Sequence, residues 1–500
     1  MKKTKKTFKL ILLCLGCLAF LPQMRGVSPP PDGCYPNSTT ATGCKALQSL
    51  TTGVANTGIG WYSLFATDGG SYNTAIGAGA LDLNKADNNT AVGVAALLLN
   101  TTGTNNTANG VAALVFNDSG EGNTATGAFA LYSNTDGQFN TANGEFTLYF
   151  NTTGERNTAI GDSALYFNTE GSRNTAIGNP ALLSNTTGNN NTAIGAGTLF
   201  SSTASDNTAI GADALSANNV GFGNTAVGRQ ALLSNTTGRQ NTALGGEALQ
   251  DNVDGEFNTA TGHGALITNE SGSYNTASGY SALRLNTTGG GNTAVGDSAL
   301  FHNTSGTINT ALGEGAGFNQ ETGSGNVYIG AGVPGVAGES NACYIASIFG
   351  QTSSGGTAVF INSSGKLGTS TSSKRFKNDI QPMNNASQAL FSLKPIIFHY
   401  KKEIDPAGIS QFGLVAEDVE QVNPDLVVHD KEGKPYSVRY DQVNAMLLNE
   451  FLKEHRELQE LKTTVARQQR QIEALTTGLQ QVNAHIELSK PAPEVAANNQ

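Results

Sequence analysis

Side chains able to do chemistry are few and scattered in this 500-residue chain. Its six histidines do not group, and no Cys-x-x-Cys pair or Cys/His cluster has the spacing of metal ligands. No carboxylate pair recurs in phase, and every glycine-rich stretch that mimics a phosphate loop belongs to one internal repeat. No cofactor and no metal are therefore expected. Cys34 and Cys44, ten residues apart, permit a local disulfide in an exported chain, and Cys343 is left over. A threonine follows the leading asparagine of each repeat (Thr57, Thr74, Thr90 and onward). Stacked, these would form a flat hydroxyl ladder able to bind glycan or ice, although threonine's ordinary preference for strands explains them equally. Ser372 and Lys377 stand five apart, a spacing that chance supplies everywhere and that assigns no role by itself.

The elements that must position these residues follow from composition and periodicity. Charged residues make up 14% of the chain, against about 25% in an ordinary globular domain. Glycine contributes 61 residues and there is one tryptophan, Trp61, so one large compact core is not expected. An asparagine recurs at 56, 73, 89, 106 and onward to 326, in steps of 17 residues with two of 16. Every copy has Gly four residues later, 15 of 17 have Ala two residues later, and the first 15 have Leu eight residues later. A helix would accumulate about 1 kcal/mol per glycine, and disordered sequence does not hold leucine in phase. The pattern predicts a mainly β chain, a β-solenoid over 56–330 with two strands of about five residues and two turns per coil. The residue before each glycine varies (Ile160, but Asn109, Thr126, Asn143 and Ser278), so it is expected to be partly wet or at a subunit seam. Residues 56–330 carry 20 acidic and 6 basic residues, a charge that repels phosphate backbones and excludes nucleic acid as a partner.

Copies such as Asn157-Thr-Ala-Ile-Gly161 with Ala164-Leu165 resemble the head repeats of trimeric autotransporter adhesins of the YadA type. That resemblance implies a left-handed β-roll with three chains side by side. The period departs from the family, 17 here against about 14 there, and the family's C-terminal membrane barrel has no counterpart.

Residues 1–26 read as a signal peptide: Lys2, Lys3, Lys5, Lys6 and Lys9 precede an apolar run, Leu10 to Leu21, too short to span a bilayer. Export to the medium or the cell surface is expected, with no integral membrane segment afterwards. Residues 27–55 are expected to cap the rod, and 331–371, rich in Gly, Ser and Thr, to form a short β connector. A small α/β domain is expected over 372–440. From 441 to 489 a helix capped by Asp441 carries heptads, with Phe451, Leu458, Val465, Ile472, Leu479 and Ile486 at a and Leu447, Leu461, Gln468, Leu475 and Val482 at d. That pattern predicts a coiled coil, and 490–500 is expected to be a disordered tail.

Four pieces in order, Ser372 to Ile380, Phe412 to Glu420, Pro424 to Val427 and Val438 to Val443, resemble the intramolecular chaperone domain of tailspikes and endosialidases, the peptidase S74 family. The resemblance implies a module that trimerises, assists folding of a β-rich stalk and cuts itself off. It implies Ser372 as nucleophile, Lys377 as base and Thr371–Ser372 as the scissile bond, with Ser373 where the family usually has Asp. The functional expectation is thus an exported, adhesin-like homotrimer with a glycan or protein receptor, enzymatic at most once and on itself. The alternative is a ligand-binding solenoid that uses its threonine ladder and is not cleaved.

Overall fold

The computed structural model describes residues 36–490. The expected signal peptide and Cys34 lie outside the described residues, so the Cys34–Cys44 pairing does too; Cys44 is exposed. The chain divides into two compact units, 1–351 and 352–500.

The first unit is a β-solenoid. Strands β1 (Thr40–Thr42) to β19 (Cys343–Ile345) form one parallel sheet of 19 strands, each three residues long. Each pairs one coil away in strict register, as Thr158, Ala159 and Ile160 with Thr175, Ala176 and Ile177. The stack outruns the asparagine ruler at both ends, because Thr39-Thr40-Ala41 and Ala342-Cys343-Tyr344 continue it.

The expected second strand is not there. Residues 162–167 and their equivalents are turns. Backbone dihedrals explain why: Ser163 and Leu165 lie in the left-handed region, at φ 58° and 53°. The ladder leucines share this conformation in all fifteen coils from Leu64 to Leu300. A left-handed leucine costs roughly 1–2 kcal/mol. Neighbouring coils offset that cost: the Leu165 N–H donates to the Ala181 carbonyl at 3.0 Å, and its side chain is fully buried. Gly161 turns the chain at φ 125°, where a Cβ would lie 2.7 Å from the Gly178 carbonyl oxygen.

The interior of most coils holds two alanines and a leucine, Ala159, Ala164 and Leu165 in one copy, all fully buried; Thr147 and Thr198 replace the second alanine in two coils. The variable aliphatic residue points outward instead; Ile160 is 38% exposed. Asparagine fills the rest of the interior in two buried rows. In the first, the Asn157 N–H donates to Asn140 Oδ1 at 2.9 Å, and Asn157 Nδ2 donates to the Gly171 carbonyl at 2.8 Å. In the second, Asn168 Nδ2 donates to Asn151 Oδ1 at 2.7 Å and to the same Gly171 carbonyl at 2.9 Å. Each amide thus meets its own copy one coil away, which removes the penalty of burying it.

Both 16-residue coils shorten the turn after the second asparagine row. Ala86 and Ala204 replace the glycine as acceptors, each 2.8 Å from Asn73 or Asn191 Nδ2. In one of them Ser202 stands in the row, and Asn185 Oδ1 is left without a hydrogen-bond partner. At the far end Tyr328 takes the alanine position and Gly317 the leucine position. The Tyr328 ring is fully buried, and its hydroxyl donates to Gln320 Oε1 at 3.0 Å. Outside the coils, rings repeat the stacking: Tyr149 lies 4.8 Å from Tyr132 and 5.3 Å from Tyr166.

Two predictions follow from the imperfections. Asn84 occupies the second row in the other 16-residue coil and accepts from Asn100 Nδ2 at 2.6 Å, so the shortened turn tolerates an asparagine. Ser202→Asn is therefore expected to stabilise the rod by about 1 kcal/mol, read from the denaturant midpoint; no shift would contradict the row's energetic role. Burial raises the Asp82 carboxyl from 3.8 to about 6, and its Oδ1 lacks a partner. A folded pKa above the unfolded one means that stability is lost as pH rises through that window. Asp82→Asn should raise the melting temperature at about pH 8 and give little gain near pH 4.

Candidate active site

The second unit builds its site from the end of a hairpin. Strands β20 (Val359–Ile361) and β21 (Leu367–Thr369) pair antiparallel, and the chain then runs through Ser370 and Thr371 to Ser372. A single 3-10 turn, Lys374–Phe376, folds it back, closed by the Phe376 N–H on the Ser373 carbonyl and the Lys377 N–H on the Lys374 carbonyl. That reversal sets Lys377 Nζ 3.2 Å from Ser372 Oγ. The two residues expected as nucleophile and base are therefore neighbours in space as well as in sequence. Both are exposed, with Lys374, Asn378, Asp379 and Ile380 around the same hollow. Arg375 lies over the Phe376 ring at 4.6 Å.

A compact scaffold follows. Strands β22 (Ile396–Phe398) and β23 (Gln411–Gly413) form one small sheet, β24 (Val427–His429) and β25 (Pro435–Val438) another. Helix α1 (Ala416–Val422) packs Val419 with Leu426, Val427, Val438 and Met446 in a buried core. The sequence pieces quoted above converge here. The Leu414 N–H donates to the Tyr440 hydroxyl at 3.0 Å, and the Arg439 N–H donates to the Leu426 carbonyl at 2.8 Å.

Helix α2 (Tyr440–Leu488) starts one residue before Asp441, with Arg439 at its N-cap and no side-chain cap; Asp441 lies in the first turn. Asp441 is therefore not the cap expected of it. The heptad side chains stay uncovered, Leu458 at 48% and Leu475 at 68%.

Sequence reading missed a polar lock between α2 and the 3-10 segment Asn384–Ser392. Buried Ser387 hydrogen-bonds Glu450 Oε1, and Asn449 Nδ2 donates to Ser387 Oγ at 2.6 Å and to the Asn384 carbonyl at 3.0 Å. Lys453, 2.7 Å from Glu450, holds that carboxyl below its usual range, with Ser387 as the lesser cause. The only signal was a run of polar residues on one side of the helix. Cys343 is exposed on β19. Among the described residues no group of His, Cys, Asp and Glu could hold a metal ion, and no helix is long and apolar enough to cross a membrane.

A family model described as chaperone of endosialidase, peptidase S74, matches residues 372–428. The match begins at Ser372 itself. No curated protein and no solved structure matches the chain. The chain thus carries a peptidase S74 chaperone domain behind a β-solenoid of about 18 turns, a combination that fits a tail-fibre-like trimeric protein.

Ser387→Ala is expected to free the Asn384–Ser392 segment from α2. Limited proteolysis there should accelerate several-fold while the rod resists unchanged; equal rates would show the lock to be dispensable.

Proposed function

We propose that the chain is an exported, adhesin-like fibrous homotrimer whose S74 module aligns three copies and then releases itself at Thr371–Ser372. The observation that carries this reading is Lys377 Nζ at 3.2 Å from Ser372 Oγ, at the first residue of the family match.

The chemistry balances on this chain's own groups. A neutral Lys377 amine takes the proton of the Ser372 hydroxyl as Oγ attacks the Thr371 carbonyl carbon. The Thr371–Ser372 C–N bond breaks, the Ser372 nitrogen takes the proton back, and the acyl group rests as an ester on Oγ. Water then opens the ester, leaving a carboxylate on Thr371 and a new amino terminus at Ser372. A lysine acts as a base only when neutral, and burial favours the neutral amine. Ser372 and Lys377 are exposed in the single chain, so the burial comes from packed copies, and cleavage follows assembly.

The uncovered heptads of α2 support three-chain packing. The YadA-like repeats support a surface role with a glycan or protein receptor, and the signal-like first residues support export. The in-register threonine row from Thr57 to Thr310 favours a second reading, in which that row binds a flat ligand such as glycan or ice.

Intact-mass spectrometry of the wild-type protein should find a fragment that begins at Ser372, and Ser372→Ala should abolish it. Leu458→Asp with Leu475→Asp should give monomers by light scattering and suppress cleavage more than tenfold. Cleavage of a monomer at the wild-type rate would sever self-cleavage from assembly; no fragment in wild type would remove self-cleavage altogether.

A further inference from the structure

The outward face of the solenoid sheet rejects charge along its whole length. In each strand the middle residue points in, as buried Ala159 does, and the first and third point out. None of these outward residues is Asp, Glu, Lys or Arg in any of the 19 strands. Charges begin at once on either side. Arg156, Arg173 and Asp206 precede the asparagine, and Glu145, Asp162, Arg229, Asp297 and Glu314 follow the glycine. A face that met only water would have no reason to exclude charge so consistently.

The third position is also patterned. It is aliphatic from Ile59 to Val92 and polar at Asn109, Thr126 and Asn143. It is aliphatic again from Ile160 to Leu244, polar at Thr261 and Ser278, and aliphatic from Val295 to Ile345. The aliphatic members remain partly uncovered, Ile76, Leu244 and Leu312 each at 40%.

We propose that this stripe is the seam along which parallel copies of this chain meet, and that its alternation of apolar and polar stretches sets their axial register. The proposal rests on the trimer reading above and names the surface that serves it. Parallel copies around one axis bring every residue level with its own counterpart, so isoleucine meets isoleucine and asparagine meets asparagine. A slip of one coil sets Asn109 against Val92 and Asn143 against Ile160, which buries amides against methyl groups. An antiparallel copy can set Asn109 against Ser278 and Thr126 against Thr261 but still opposes Asn143 to Leu244 and Thr42 to Ile345, so level parallel copies give the better match. The edges agree with parallel copies. Arg156 and Asp162 flank the same strand, β8 (Thr158–Ile160), on opposite sides. Around a ring, Arg156 of one copy therefore faces Asp162 of the next at this coil.

The test uses the full chain with all five native cysteines (Cys14, Cys17, Cys34, Cys44 and Cys343) replaced by Ser, carrying Ile194→Cys in the stripe or Glu170→Cys on an exposed turn. After mild oxidation, non-reducing gels should show a linked pair in most trimers for Ile194→Cys and none for Glu170→Cys. Differently tagged Ile177→Cys and Ile210→Cys chains, two coils apart, should each link to themselves and not to each other when co-expressed. Light scattering on the same samples separates the failures. Trimers without the Ile194→Cys link overturn the seam and leave the trimer standing; mixed links between Ile177→Cys and Ile210→Cys chains overturn the register; monomers overturn both.

Discussion

A buried amide in this rod is satisfied by the same amide one coil away. Asn168 lies between Asn151 and Asn185, at 2.7 and 2.8 Å, and both asparagine rows close on glycine carbonyls such as that of Gly171. A row of this kind tolerates one side-chain length and one backbone path. Much of the sequence follows from that. Glycine is required where its α-carbon passes the carbonyl oxygen of the next coil, alanine where the sheet meets the leucine, and leucine where the large apolar volume lies. Where the row loses a member, at Ser202, a polar atom is stranded. Where the array ends, a tyrosine stands at an alanine position, glycine at the leucine position, and the tyrosine hydroxyl reaches the last amide of the row.

A core so narrow leaves apolar surface outside. The third strand position keeps most of its isoleucines about two-fifths exposed, and α2 presents a complete heptad stripe to solvent. Two units with different secondary structure thus share one deficiency, and further copies of the same chain would meet it in both. The Ser372–Lys377 pair belongs to the same logic. Its geometry is set by a local turn, and under the proposed function packed copies would bury the lysine, so that cleavage would report that the copies have come together.

Much of this was legible in the sequence because a strict period exposes every constrained position. The leucine phase located the interior, the variability before each glycine located a wet position, and four ordered pieces located the S74 module, in which Ser372 and Lys377 lie side by side. What was hidden was conformational. Asn157 and Asn168 look like ordinary turn residues, and only the stack reveals that their side chains point inward. Leu165 in a left-handed conformation contradicts local preference and is held there by the hydrogen bond of its N–H to the Ala181 carbonyl, 16 positions away, so the expected second strand became a turn. The Ser387 lock joins residues more than 60 positions apart, with no periodicity to mark it.

The central claim is that paired amide rows and one leucine per coil form the rod's interior, with the aliphatic strand column turned toward neighbouring copies. A cryo-EM or crystal map of the assembled rod tests it most directly. The account predicts continuous density along both asparagine rows inside each chain and three aliphatic columns facing a common axis. Asparagines opening to solvent, or single rods with that column bare, would contradict it.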